Sequence, residues 1–505
     1  MREGRQRKRT RAPQSTADFR RLRNPFVPQR AFSDDAVVAM HDGALRILED
    51  LGMKVLEPEG RSLFLAAGAL VDEGTQMVRV GRDIVEAALA SAPRSFRLRA
   101  ADPGREQIFE QGTMMFTPGS GCPNVTDRLR GRRPGSLETY RETLKLHQSF
   151  DAIHMFGPSA EPQDVPVALR HYAMMQAQLE LGDKPVFVYA RGQRQVEDSL
   201  EMIRLALGLD EAAFNEGVWA STVINTNSPR QLDVPMTRGI IDFARAGQMS
   251  IITPFCLSGA MAPVTISGAL MLQHAEALAG ITLAQLARPG APVCYGGFTS
   301  NVDMKSGAPA FGTAAHVQAL LGTGQLARLT GLPWRSGTGA ASNTADAQGA
   351  TETVMSLWAS IMGGATLSVH AAGWLEGGLS FGYEKFITDM EAVNALAALA
   401  RPAPATMDDL GFDAIAEVAP GGHFFATAHT MARYEHAFQT PLVADLSNFG
   451  AWTDAGALRA DERATAVWQR VLAEFEPPAE GAERAARLAD FIARRSAEGG
   501  APPEG

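Results

Sequence analysis

A chain of 505 residues with 45% hydrophobic and 20% charged content is long enough for one large domain with appendages, or for two or three smaller ones, and too apolar to be disordered throughout. Its net charge of -9 argues against broad nucleic-acid affinity, and no run approaches the ~18 apolar residues needed to cross a bilayer. Three scattered cysteines, Cys122, Cys256 and Cys294, are too few for a disulfide framework, and the first residues lack the apolar core of a secretory signal, so a cytoplasmic protein is expected.

Taken in order, the chain opens on a basic arm, Arg2, Arg5, Arg7, Lys8, Arg9 and Arg11, and residues 1–32 read as a solvated, disordered tail, with contact to an acidic partner as the alternative. Residues 33–110 read as a small α+β extension. It begins with Ser33 as N-cap of an amphipathic helix, with Asp34 and Asp35 in the first turn. From Thr113 a β-rich run followed by a helical pattern recurs eight times. The strand candidates are Thr113–Thr117, Ala152–Gly157, Pro185–Ala190, Val218–Ile224, Ser250–Pro254, Pro292–Gly296, Leu332–Ser336 and Ala365–His370. Helix candidates such as Leu137–Ser149, Pro263–Ala287 and Thr388–Leu399 alternate with them. This rhythm predicts an α/β chain whose residues 111–400 form a (β/α)8 TIM-type barrel. A doubly wound sheet is the alternative, but no GxGxxG follows the first strand. Residues 401–505 read as a C-terminal helical extension, with a helix over Arg484–Ala497 and a frayed tail over Gly499–Gly505.

In such a barrel, function gathers where the strands end. That rule selects Gly119, Ser120 and Asn124 after the first strand, Arg191 after the third, Asn225 and Asn227 after the fourth and Phe255 after the fifth. Tyr295, Phe298, Asn301 and Asp303 follow from the sixth, Arg335 and Asn343 from the seventh, and His370, Trp374, Glu376 and Phe381 from the eighth. The set is poor in nucleophile–base pairs and rich in rings and amides. Aromatic faces attract organic cations, and Arg or His beside them holds an anion, so a ligand carrying both charges suits this rim. Plainer roles stand beside these. The rings also read as loop packing, His370 as a barrel-end histidine, Glu376 as a partner of Lys385 and Asp303 as a cap. His423, His429 and His436 do not have chelate spacing, and a zinc site from Cys256, Cys294 and a histidine is the one metal alternative.

The segments TSNVDMKSGAPAFG (Thr299–Gly312), QLARLTGLPWRSGTGAASNTADAQGATE (Gln325–Glu352), HAAGWLEGGLSFGYEKF (His370–Phe386) and APGGHFFATAHT (Ala419–Thr430) resemble the trimethylamine:corrinoid methyltransferase family, with similarity running from about residue 35 to 475. The resemblance implies a (β/α)8 barrel and methyl transfer to a corrinoid. Members that act on trimethylamine carry pyrrolysine, whereas this sequence holds only the standard twenty residues and is similar to the glycine betaine:corrinoid branch. The implied donor is therefore a quaternary amine, glycine betaine first, with trimethylamine, proline betaine or carnitine as alternatives. The implied acceptor is Co(I) of a corrinoid (cobalamin) carried by a partner protein, with no cofactor permanently bound and no metal site. On this basis His370, Glu376 and Asp303 are the expected catalytic set, acting as orienting or electrostatic groups. Trp374, Phe381, Phe255 and Tyr295 are the expected cage, Arg335 joins His370 as carboxylate partner, and Asn227 orients. A homo-oligomer is expected. A lyase or aldolase-type barrel and a non-catalytic binder of quaternary amines are the competing classes.

Overall fold

The computed structural model describes residues 18–189 and 191–504. Among these, seven strands pair in parallel: β1 (Thr113–Phe116), β2 (Val186–Phe187), β3 (Ala220–Ile224), β4 (Met249–Ile252), β5 (Val293–Gly296), β6 (Trp334–Gly337) and β7 (Leu367–Val369). Their order across the sheet is β1-β7-β6-β5-β4-β3-β2, so the first strand lies beside the last and the others follow sequence. Ser221 stands opposite Met249, Ser250 opposite Val293, Arg335 opposite Leu367 and Leu367 opposite Met115.

The remaining expected strand, Ala152–Gly157, is not a regular strand. It makes single backbone bonds on either side, His154 N–H to Phe116 O at 2.9 Å and Phe156 N–H to Pro185 O at 3.1 Å, and so lies between β1 and β2. Phe116 N–H turns to the His154 ring, at 3.0 Å from Nδ1, and Pro158 just beyond has no N–H to extend a ladder. An eighth strand in the sheet comes from an unexpected place. Leu22–Arg23 pairs antiparallel with β1, Leu22 opposite Met114. The expected disordered tail is thus corrected for residues 18–32, where Phe19 and Leu22 are buried; residues 1–17 lie outside the described residues.

Alternation along each strand decides what faces inward. Met115, Met249, Ile251, Cys294, Leu367 and Val369 cluster on the inner face with Met155. Tyr295, Trp334, Ile252 and Ala220 point the other way and pack into the core shared with the helices. A hairpin, Phe96–Leu98 paired with Gln107–Phe109, adds Leu98 and Phe109 to the inner cluster, and Arg99 N–H donates to Val218 O at 2.7 Å. It fills the end at which the strands begin, leaving the opposite end free.

The outer helices start where short polar side chains hold the first N–H groups. Ser33 accepts from Ala36 N–H, Ser136 forms a capping box with Thr139, Asp233 accepts from Met236 N–H, and Asp346 from Gly349 N–H. The last helix of the alternating series runs Tyr383–Leu399, beginning before the expected Thr388. Its first turn carries charge and reads as loop, yet these charges are satisfied inside. Glu384 accepts from Thr465 Oγ1 and Trp468 Nε1, each at 2.8 Å, and Lys385 pairs with Asp389. Lys385 is therefore not the partner of Glu376. At the C-terminal side, helix Gly481–Ala497 packs on helices Val167–Leu181 and Gln193–Ala206. The segment expected to fray is docked instead: Ala501 N–H donates to Ala168 O at 2.8 Å and Glu504 N–H to Arg191 O at 3.0 Å.

Candidate functional site

The strands end around a cavity of about 410 Å³. Its wall is built strand by strand: Thr117 and Ser120 beyond β1, Tyr189 and Arg191 beyond β2, Asn225 beyond β3, Phe255 beyond β4, Phe298 beyond β5, Arg335 on β6, and Val369, His370 and Trp374 on and beyond β7. Of the expected site residues it gathers His370, Trp374, Arg335 and Phe255.

The loop after β7 is held by its own small sheet. Trp374–Leu375 pairs antiparallel with Ser380–Gly382, and that strand pairs in parallel with Asn124–Thr126. The turn needs unusual backbone: Gly373 has φ 89, and a Cβ there would meet the Phe381 ring at 2.4 Å, so only glycine fits on both counts. His370 itself has φ 65, in the left-handed region, a conformation that costs roughly 1 kcal/mol or more and persists where surrounding contacts hold it. Those contacts are specific. Ser120 N–H donates to His370 Nδ1 at 3.1 Å, and the imidazole stacks on the Trp374 indole with centroids 4.3 Å apart and planes at 12°. Trp374 Nε1–H in turn donates to Ser120 O at 3.2 Å, tying ring and loop together.

Electrostatics at this corner are unbalanced. Burial, reinforced by the Arg335 charge, holds the His370 pKa well below the usual histidine range, so the ring is neutral. A backbone N–H can only donate, so Nδ1 is the acceptor and Nε2 carries the proton. Yet Nε2 lies 3.2 Å from Arg335 Nη2, also a donor. Two donors face each other. Arg335 is buried, its Nε and Nη1 have no partner, and among the described residues no carboxylate pairs with it. Burial lowers its pKa to about 9, and its guanidinium carbon lies 5.0 Å from the Phe298 ring centroid. The one carboxylate in the wall, Glu161, already pairs with Arg170 at 2.7 Å.

Rings make up much of the rest. Phe298 lies 5.0 Å from Phe255 and 5.6 Å from Trp374, centroid to centroid, and Phe187 meets Tyr189 edge-on at 5.2 Å. Phe298 is a rim residue on sequence grounds. Phe187 and Tyr189 are not in the expected set, although the alternation in Pro185–Tyr189 is the signal that finds them, since it turns every second residue inward.

Five expected site residues lie elsewhere. Tyr295 faces the helices, its hydroxyl 2.9 Å from His274 Nδ1, because on β5 it is Cys294 that faces inward. Phe381 is fully buried beneath the loop against His147, Tyr383 and Phe386. Asn227 is exposed and clamps a turn, donating to Asp233 Oδ2 at 3.0 Å. Asp303 is exposed and accepts from Ser306 N–H and Oγ–H at 3.0 and 2.7 Å. Glu376 pairs with Arg132 at 3.0 Å; burial pushes its pKa up, but Arg132 and Ser380 outweigh this and hold it below the usual carboxylate range. Cys256 contacts Ser228 and Glu276 while Cys294 lies inside the sheet, and among the described residues no group of three or more His, Cys, Asp or Glu is placed to hold a metal ion.

Comparison with known proteins gives this geometry a context. Residues 1–500 match a family model described as trimethylamine methyltransferase (MTTB). The chain is 35% identical over 470 residues to the glycine betaine methyltransferase of Desulfitobacterium hafniense, covering 93% of this chain and 97% of that protein. It is 28% identical over 450 residues to the trimethylamine methyltransferase MttB of another strain of that species, covering 88% and 90%. Among solved structures, the monomethylamine methyltransferase of Methanosarcina barkeri aligns with a TM-score of 0.43 at 10% identity, over 93% of this chain and 95% of that one. The chain belongs to the trimethylamine methyltransferase family.

Proposed function

We propose that the protein transfers a methyl group from a quaternary amine bearing a carboxylate, glycine betaine first, to the Co(I) of a corrinoid carried by a separate protein. The observation that carries this reading is the pair of facing donors, Arg335 Nη2 and neutral His370 Nε2–H, buried with no carboxylate partner among the described residues. A carboxylate oxygen satisfies both. The walls of Trp374, Phe298 and Phe255 then receive the trimethylammonium head, at about 0.5 to 2 kcal/mol per ring. The glycine betaine methyltransferase of Desulfitobacterium hafniense, the relative at 35% identity, supports the same choice. The sheet is read as a (β/α)8 barrel whose second stave, Ala152–Gly157, is irregular.

The chemistry asks little of the protein's protons. A quaternary nitrogen already carries its charge, so when the methyl carbon leaves, the C–N electron pair stays on nitrogen and a neutral tertiary amine departs. No general acid is needed. A neutral His370 and a Glu376 held ionised by Arg132 suit orientation rather than proton transfer. The corrinoid supplies the Co(I) nucleophile. Gly121 and Gly377, on the cavity wall, suit its approach, since a Cβ on Gly121 meets nothing within 4 Å and one on Gly377 only the edge of Phe311 at 3.8 Å. What the chain contributes is an anchored carboxylate, a desolvated cation and a methyl held in line.

Calorimetry tests the carboxylate clamp. Glycine betaine is expected to bind ~10- to 150-fold more tightly than tetramethylammonium, the worth of a hydrogen bond to a charged group, about 1.5 to 3 kcal/mol. Equal affinity for the two removes Arg335 and His370 from the binding site.

A further inference from the structure

Helix Ile266–Ala287 is apolar along most of its length, and its one carboxylate, Glu276, is fully buried. A carboxylate in such a place needs donors around it. Ser228 Oγ–H donates to it at 2.6 Å and Arg230 N–H at 2.8 Å, Thr226 Oγ1–H also donates, and Cys256 Sγ–H lies 3.8 Å away. Three of these groups belong to the loop after β3 and one to the loop after β4.

Glu276 has donors but no cation. Among the described residues no Lys, Arg or His side chain pairs with it, and the Arg230 guanidinium is bonded instead to Gly52 O, at 3.2 Å from Nη1. Burial pushes the Glu276 pKa up, and its four donors offset this only in part; a cation nearby favours the ionised form. The carboxylate does not line the cavity, yet its donors adjoin residues that do, Asn225 before Thr226 and Phe255 before Cys256. It therefore lies behind the ring wall. Arg335 on β6 is a buried cation without a carboxylate, and further round the same sheet Glu276 is a buried carboxylate without a cation.

We infer that Glu276 is an electrostatic positioning residue, whose negative charge behind Phe255 draws the donor's quaternary nitrogen to the ring wall and sets the cavity against uncharged heads of the same shape. The inference rests on the reading of Arg335 and His370 as the carboxylate clamp. With one charge at each side, a zwitterion lies in one direction only, carboxylate towards β6 and methyl groups towards β4. At an effective dielectric constant of about 20, a unit charge on the order of 10 Å away is worth roughly tenfold in affinity.

Calorimetry at pH 8 with two ligands of one shape tests this: glycine betaine, and 3,3-dimethylbutanoate, in which carbon replaces the quaternary nitrogen. The wild type is expected to prefer glycine betaine. Glu276→Gln keeps an acceptor for the loop donors and removes the charge, so it is expected to lose roughly tenfold of that preference while binding 3,3-dimethylbutanoate as the wild type does. A merely structural role weakens both ligands alike, and an unchanged ratio overturns the inference. Glu276→Asp keeps the charge and is expected to keep the preference even where both affinities fall; a preference lost in Asp as in Gln overturns it too. Equal affinity of the wild type for the two ligands does so without any variant. If neither ligand binds the wild type, the carboxylate clamp itself fails and the inference falls with it.

Discussion

Replacing Arg335 with glutamine is expected to lower kcat/KM for methyl transfer from glycine betaine by roughly 30- to 5,000-fold, the range set by about 2 to 5 kcal/mol for breaking a buried charge pair. Glutamine keeps a donor but removes the charge, which favours the lower part of that range. Most of the loss falls in KM, because the carboxylate lies away from the methyl being transferred and is held alike in ground and transition states. Stability supplies the control. Arg335 is buried with two nitrogens unpartnered, so the unliganded fold carries an uncompensated charge. Neutralising it leaves the melting temperature unchanged or raises it. Activity loss without stability loss separates a ligand clamp from a structural arginine, and wild-type kcat/KM in the variant contradicts the clamp.

Trp374→Leu is expected to reduce kcat/KM roughly 5- to 400-fold, combining a cation–π face at about 0.5 to 2 kcal/mol with the lost stacking on His370 at about 0.5 to 1.5 kcal/mol. The second contribution matters because the indole lies 4.3 Å from the imidazole and bonds to Ser120 O, whose own residue's N–H fixes the histidine ring. Removing the indole therefore weakens the cation wall and loosens the carboxylate clamp together. Trp374→Phe restores the wall without the N–H and is expected to fall between wild type and leucine in steady-state assays. Equal activity in all three proteins shows that the cation is held elsewhere.

Local signals in the sequence carried much of the fold. Helix Leu137–Ser149 has the expected bounds, and Ser136, Asp233 and Asp346 hold the first N–H groups because capping depends on residues three apart. Tyr383–Phe386 reads as loop for the opposite reason: the groups that satisfy the Glu384 carboxylate, Thr465 and Trp468, are some eighty residues away in sequence. The site divides along the same line. Arg335, His370, Trp374 and Phe255 reach the cavity because strand ends converge there. Tyr295 does not, because one residue of alternation separates the inner face from the outer, and that parity becomes definite only when Tyr295 is paired with Trp334. The Arg132 partner of Glu376 and the Ser120 partner of His370 lie 244 and 250 residues away and leave no local trace. Nor does sequence reveal the left-handed backbone of His370, which lets its ring meet Ser120 N–H and the indole at once.

The central claim is most directly tested by incubating the protein with chemically reduced cobalamin and a panel of glycine betaine, proline betaine, carnitine and trimethylamine, and following the visible spectrum as methylcobalamin forms. Methylcobalamin is expected together with an equal amount of demethylated tertiary amine from a carboxylate-bearing quaternary amine, glycine betaine foremost, and none from trimethylamine. Methylation from trimethylamine with none from any betaine contradicts it.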